Sequence, residues 1–140
     1  MILYLDTSAL LKLYAEERGT SDIRAAVTRA SVVTTSRLTY VEARGAFARK
    51  VRQGELSPAE HQYLASSLEE DWGRFLVVEL SDNLCQEAVV LVERHPLRAG
   101  DALQLASACT VKHRVKEELV FSSFDERLNR AAEAEKLPVL

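Results

Sequence analysis

No apolar run in this 140-residue chain is long enough to span a bilayer. The amino terminus lacks the basic start and small-residue cleavage site of a secretory signal. A cytoplasmic location is the resulting expectation. Cysteine is scarce, with only Cys85 and Cys109 present. They stand far apart in apolar helical settings, which predicts buried free thiols in a reducing compartment rather than a disulfide. His61, His95 and His113 are scattered, and none sits at zinc spacing from a cysteine, which argues against a structural zinc site. Low-complexity tracts and internal repeats are absent. So is any excess of positive charge: 18 Lys and Arg against 21 Asp and Glu leave a net charge of −3. That speaks against a protein that coats nucleic acid non-specifically. It leaves room for an enzyme whose acids are gathered in one site. Tyr4, Tyr14, Tyr40, Phe47 and Phe75 fall at core-like spacings and offer no base-stacking platform.

What is present reads as an ordinary globular protein, 47% hydrophobic and 28% charged. The length fits one domain, residues 1–140. Ile2 to Leu5 form an apolar run of the kind buried on both faces of a parallel sheet. Asp6 ends it, and Thr7 or Ser8 can cap a helix over about 8–17. Further helices are expected over 20–29, 37–53, 57–72, 81–93, 101–113 and 124–135. Strands are expected over 32–36, 75–80 and 119–122, with a last edge strand at 138–140. Ser57-Pro-Ala-Glu60 has the form of a capping box with proline in the first turn. Strands separated by helices predict an α/β fold with a mostly parallel central sheet flanked by helices. The pair 37–53 and 57–72 reads as a protruding helical hairpin. Its first arm is basic and its second acidic, so pairing between the arms is expected.

Four acids stand where solvation does not explain them. Asp6 and Asp125 follow strands, Asp101 opens a helix rich in small residues, and Glu42 lies mid-helix beside Gly45 and Ala46. Small neighbours there would let another element approach Glu42 closely. Taken singly, Asp6, Asp101 and Asp125 each fit a helix cap, and Glu42 fits an ion pair with Arg44 or Arg49. Together they can project into one crevice at the carboxyl edge of the sheet. Clustered carboxylates repel, and burial raises that cost. A divalent cation removes it, and a set of hard oxygen donors selects Mg²⁺ or Mn²⁺. Such an ion suits hydrolysis of a phosphodiester.

Four blocks carry a resemblance: Leu5-Asp-Thr-Ser-Ala-Leu-Leu-Lys-Leu-Tyr14, Val41-Glu-Ala-Arg44, Gly100-Asp-Ala-Leu-Gln-Leu-Ala-Ser-Ala108 and Phe121-Ser-Ser-Phe-Asp-Glu-Arg-Leu128. In order and spacing they resemble the signature blocks of PIN-domain ribonucleases, above all the VapC toxins of toxin–antitoxin systems. The resemblance runs from residue 2 to about 132, and over 54–95 only as helix–strand–helix. It implies a PIN-like fold and a Mg²⁺-dependent endoribonuclease, with Mn²⁺ as a second candidate. It further implies an RNA substrate, a cognate antitoxin and a homodimer. Asp6 and Asp101 match the main metal ligands, with Glu42 and Asp125 completing the quartet directly or through water. Ser123 matches a hydroxyl that helps position water, and Thr7 and Ser8 fit the family pattern as well as they fit a helix cap. Asn129 departs from relatives that place a further acid there. Arg49, on the face of Glu42, is a candidate phosphate contact, as is Lys12, but plain surface solvation is the favoured account of each.

Three other readings compete. A haloacid-dehalogenase-type phosphohydrolase would use Asp6 as nucleophile, but it wants a second acid where Ser8 stands. A phospho-receiver has no role for Glu42 or Asp101. A non-catalytic PIN-like module that binds RNA or protein would be expected to have lost acids, and here all four positions are filled.

Overall fold

The computed structural model describes residues 1–140. Four strands form one sheet in the order β3-β2-β1-β4, and every pairing is parallel. The strands are β1 (Ile2–Leu5), β2 (Val32–Ser36), β3 (Leu76–Val78) and β4 (Leu119–Ser122). Parallel neighbours need crossovers, and helices supply them. Helices α1 (Thr7–Leu11) and α2 (Thr20–Arg29) join β1 to β2. Helices α3 (Arg37–Arg52) and α4 (Pro58–Trp72) join β2 to β3. Helices α5 (Asp82–Arg94) and α6 (Ala99–Arg114) join β3 to β4, and α7 (Glu126–Ala134) follows.

Strand β1 is central and divides its side chains between two cores, as strand periodicity requires. Ile2 and Tyr4 join a core built mainly with α5, α6 and α7. Leu3 and Leu5 join a second core with α1, α2, α3 and α4. All four are buried, so the strand is apolar without interruption because both faces are covered. Burial of each such side chain contributes about 1.5–3 kcal/mol.

This connectivity creates a switch point. From β1 the chain steps outward to β2 and β3, then returns to place β4 on the other side of β1. Crevices at the carboxyl ends of two such strands are where open α/β sheets bind ligands. The peptide N–H of Asp6 donates to the carbonyl of Ser122 at 3.1 Å, so the ends of β1 and β4 are tied together there.

The structure differs from the sequence reading in several places. The first helix is short: α1 passes into a 3-10 turn at Lys12–Tyr14 and stops there. Its cap is Asp6, not Thr7 or Ser8, with the carboxylate accepting from Ala9 N at 2.8 Å. The expected edge strand at 138–140 shrinks to one bridge between Phe121 and Val139. Cys85 is exposed and Cys109 half-buried; both are free thiols, and only the expected burial fails. Gly45 faces open space, so nothing approaches Glu42 from that side. The hairpin of α3 and α4 is anchored rather than free-standing, since Ala43, Phe47 and Leu68 lie in the second core. Its tip, 52–55, and the start of α4, 57–60, are exposed. Its arms do meet: Glu69 of α4 lies 3.9 Å from Arg44 and accepts from the Tyr40 hydroxyl. No helix is long and apolar enough to cross a membrane.

Candidate active site

Asp6 occupies the switch point and is 5% exposed. Its Oδ1 accepts from the Ser8 hydroxyl at 2.7 Å and from Ala9 N at 2.8 Å. Its Oδ2 accepts from the Ser123 hydroxyl at 2.6 Å. Burial pushes the carboxyl up to about 6; the bonds from Ser123, Ala9 and Ser8 pull the other way, and Glu42 adds to the rise. Ser8 also receives the peptide N–H of Phe124 at 2.9 Å, and Ser123 receives that of Asp125 at 3.0 Å. The two serines therefore stitch the end of β1 to the turn after β4.

Asp125 caps α7, accepting from Arg127 N at 2.9 Å and more weakly from Leu128 N at 3.4 Å. Its cap role does not remove it from the cluster, because its charge raises the carboxyl of Asp101. Asp101 sits in the first turn of α6, where Arg98 N donates to it at 3.4 Å. Burial is the main cause of its raised value, with Asp125 and Glu42 contributing and Arg98 opposing. Glu42 is exposed on α3, and its Oε1 accepts from the Thr7 hydroxyl at 2.7 Å and from Gln104 Nε2 at 3.1 Å. The four acids are thus linked by mutual repulsion, Asp6 to Glu42, Glu42 to Asp101, and Asp101 to Asp125. None forms an ion pair with a Lys, Arg or His.

The other expected residues divide. Ser8 and Ser123 join the site through Asp6. Arg49 is exposed on the last turn of α3 and bonds to none of the acids. The expected ion pairs of Glu42 with Arg44 or Arg49 do not form; Arg44 turns to Tyr40 and Glu69 instead. Lys12 pairs with Glu17 at 2.9 Å and lies 4.6 Å from the centre of the Phe124 ring, so its charge is already partnered. Asn129 donates to the Ser123 carbonyl at 2.9 Å and so braces the turn. Sequence reasoning missed Thr7 as a donor to Glu42 and missed Gln104 altogether. The available signal for Gln104 was a lone amide inside Ala102-Leu-Gln-Leu-Ala106.

The donor set suits a hard divalent cation: four carboxylates and two hydroxyls, with no sulfur or imidazole. No three Asp, Glu, His or Cys side chains converge on one ligation point. Mg²⁺ does not need such a triplet, because it keeps several waters and takes one or two carboxylates directly.

Residues 3–134 match the family model described as PIN domain. Ribonuclease VapC45 of Mycobacterium tuberculosis (strain CDC 1551 / Oshkosh) is 35% identical over 133 residues, covering 95% of this chain and 90% of that protein. The fold resembles FitAcB from Neisseria gonorrhoeae, with TM-score 0.71 and 19% identity over 100% of this chain and 96% of that one. It also resembles VapBC2 from Rickettsia felis bound to a DNA fragment from their promoter, with TM-score 0.65 and 12% identity over 100% and 98% of the chains. The chain belongs to the PIN-domain family and, within it, to the VapC ribonucleases.

Proposed function

We propose that this chain, folded as a single domain, is a Mg²⁺-dependent endoribonuclease and the toxin of a toxin–antitoxin pair. The observation that carries the reading is the quartet at the switch point, none of whose carboxylates is ion-paired with a Lys, Arg or His side chain. Asp6 and Asp101 would hold the ion, and Glu42 and Asp125 would act through water. Bound there, the ion would polarise a phosphodiester and favour ionisation of attacking water. Ser123 and Ser8 keep Asp6 oriented by donating to opposite oxygens. Arg49 is the proposed contact to RNA phosphate, which positions the strand without reading its sequence.

The proposed antitoxin would lie against the hairpin. Tyr63 of α4 is 73% exposed and borders an apolar hollow of about 420 Å³ with Tyr14, Leu56 and Leu64. An arginine from such a partner would find four unpaired carboxylates to neutralise. A homodimer is the proposed assembly, supported by the exposed Val89 and Val90 of α5.

The test is cleavage of RNA by purified protein. Mg²⁺ or Mn²⁺ should support cutting, and chelator should stop it. Asp101→Asn should abolish cutting while circular dichroism shows an intact fold. A folded Asp101→Asn protein with the wild-type rate would overturn the site assignment.

A further inference from the structure

Gln104 is 3% exposed, within the apolar part of α6. A buried amide is costly unless its oxygen and its N–H groups find partners. Here the amide bridges the core and the site. Oε1 accepts from the Tyr4 hydroxyl at 2.7 Å. Nε2 lies 2.9 Å from Thr39 Oγ1, 3.2 Å from Thr7 Oγ1 and 3.1 Å from Glu42 Oε1.

The surroundings fix which way the amide faces. Thr35 has one proton and gives it to the Leu5 carbonyl at 2.6 Å. The Thr39 hydroxyl, 2.9 Å from Thr35 Oγ1, then donates to Thr35 and keeps a lone pair for an amide N–H. An ionised Glu42 can only accept, so the group opposite it must be the NH₂. Tyr4 is fully buried and stacked on Phe121, with ring centres 5.4 Å apart, so the acceptor end of Gln104 is held by the core.

Glu42 is therefore gripped at one oxygen only. Thr7 and Gln104 both donate to Oε1. Oε2 receives no protein donor and faces Gly100, whose absent Cβ would stand 3.7 Å away. The start of α6, with Asp101 next in line, therefore lies beside that free oxygen.

We infer that Gln104 is a positioning residue, which with Thr7 holds Glu42 by Oε1 and turns Oε2 toward the ion and its waters. This inference rests on the metal-dependent reading above. Outer-shell donors of this kind typically change metal affinity or activity by about 10–100-fold when removed.

The test measures Mn²⁺ affinity of metal-free protein by electron paramagnetic resonance, beside kcat and KM for RNA. Gln104→Met keeps the volume and loses the donors. Thr7→Val removes the second donor from a half-buried position, and Thr7→Ser restores it. Gln104→Met and Thr7→Val should each weaken Mn²⁺ binding about tenfold and lower kcat at least as much, with KM within twofold. Thr7→Ser should recover most of both. If Gln104 only satisfied buried polar groups, stability would fall while Mn²⁺ affinity and kcat per folded molecule stayed within twofold, and that result overturns the inference. Should Gln104→Met fail to fold, unchanged Mn²⁺ affinity in Thr7→Val overturns it alone. Absence of Mn²⁺ binding by the wild type at millimolar concentration would instead overturn the metal reading on which the inference stands.

Discussion

Asp6→Asn tests the buried acid without any substrate. The Asp6 carboxyl titrates at about 6 in the fold against an ordinary 3.8, and burial is the main cause. The folded state therefore holds a proton that the unfolded chain releases between about pH 4 and 6. Stability falls as pH rises through that window, and the loss is complete by about pH 7. The displacement corresponds to about 3 kcal/mol, or very roughly 10 °C in Tm for a chain of this size. Asparagine removes the charge and keeps the contacts: one end still accepts from Ser8 and Ala9, and the other donates to Ser123. In chelator at pH 7.5, Asp6→Asn should be about 3 kcal/mol more stable than wild type, and near pH 4 the two should converge. Urea melts at a series of pH values measure this, and the difference between the two proteins cancels every other titrating group. Mg²⁺ at about a hundred times Kd should return about 2.7 kcal/mol to the wild type and little to the variant. Midpoints that move in parallel from pH 4 to 7.5 would refute the claim that Asp6 is an ionised group confined by burial.

Asp125→Asn preserves a cap and Asp125→Ala removes it; melting should show a cost of about 1 kcal/mol for alanine alone, while both variants lose RNA cleavage. For Asp101→Asn, relief of burial and of repulsion from Asp125 and Glu42 should raise stability in chelator at pH 7.5 and shrink the Mg²⁺-induced rise in Tm. Gly19→Ala places a Cβ at a backbone φ of +94° and 2.5 Å from the Phe124 ring, so it should destabilise by about 1–3 kcal/mol in a urea melt.

The elements were legible where local chemistry decides them. Ser57 and Glu60 form the reciprocal cap that their spacing announces, and Gly54 follows α3 at a φ of +75°. Ile2–Leu5 reads as a doubly covered strand because no polar residue interrupts it. The four acids were legible as candidates because each stands at a strand end, at a helix start or in a helix of small residues. What stayed hidden depends on contacts distant in sequence. Nothing around Cys85 says that its side of α5 is open, and nothing around Gly45 says that it faces solvent. The short first helix reflects packing of the 3-10 turn against α2. Gln104 gains its meaning from Tyr4, Thr7, Thr39 and Glu42, which three other elements bring to it.

The central place of β1 turns the order of synthesis into a timer. The first strand made is the one that the last strand must flank, because β4 pairs with it. At about 5–20 residues per second, Asp125 leaves the ribosome's catalytic centre roughly 6–24 s after Asp6. Until then Asp6 lacks Ser123, Asp101 lacks its neighbour, and the end of β1 has no partner on that side. A ribonuclease arranged in this way cannot complete its crevice until the segment carrying β4 and Asp125 has been made.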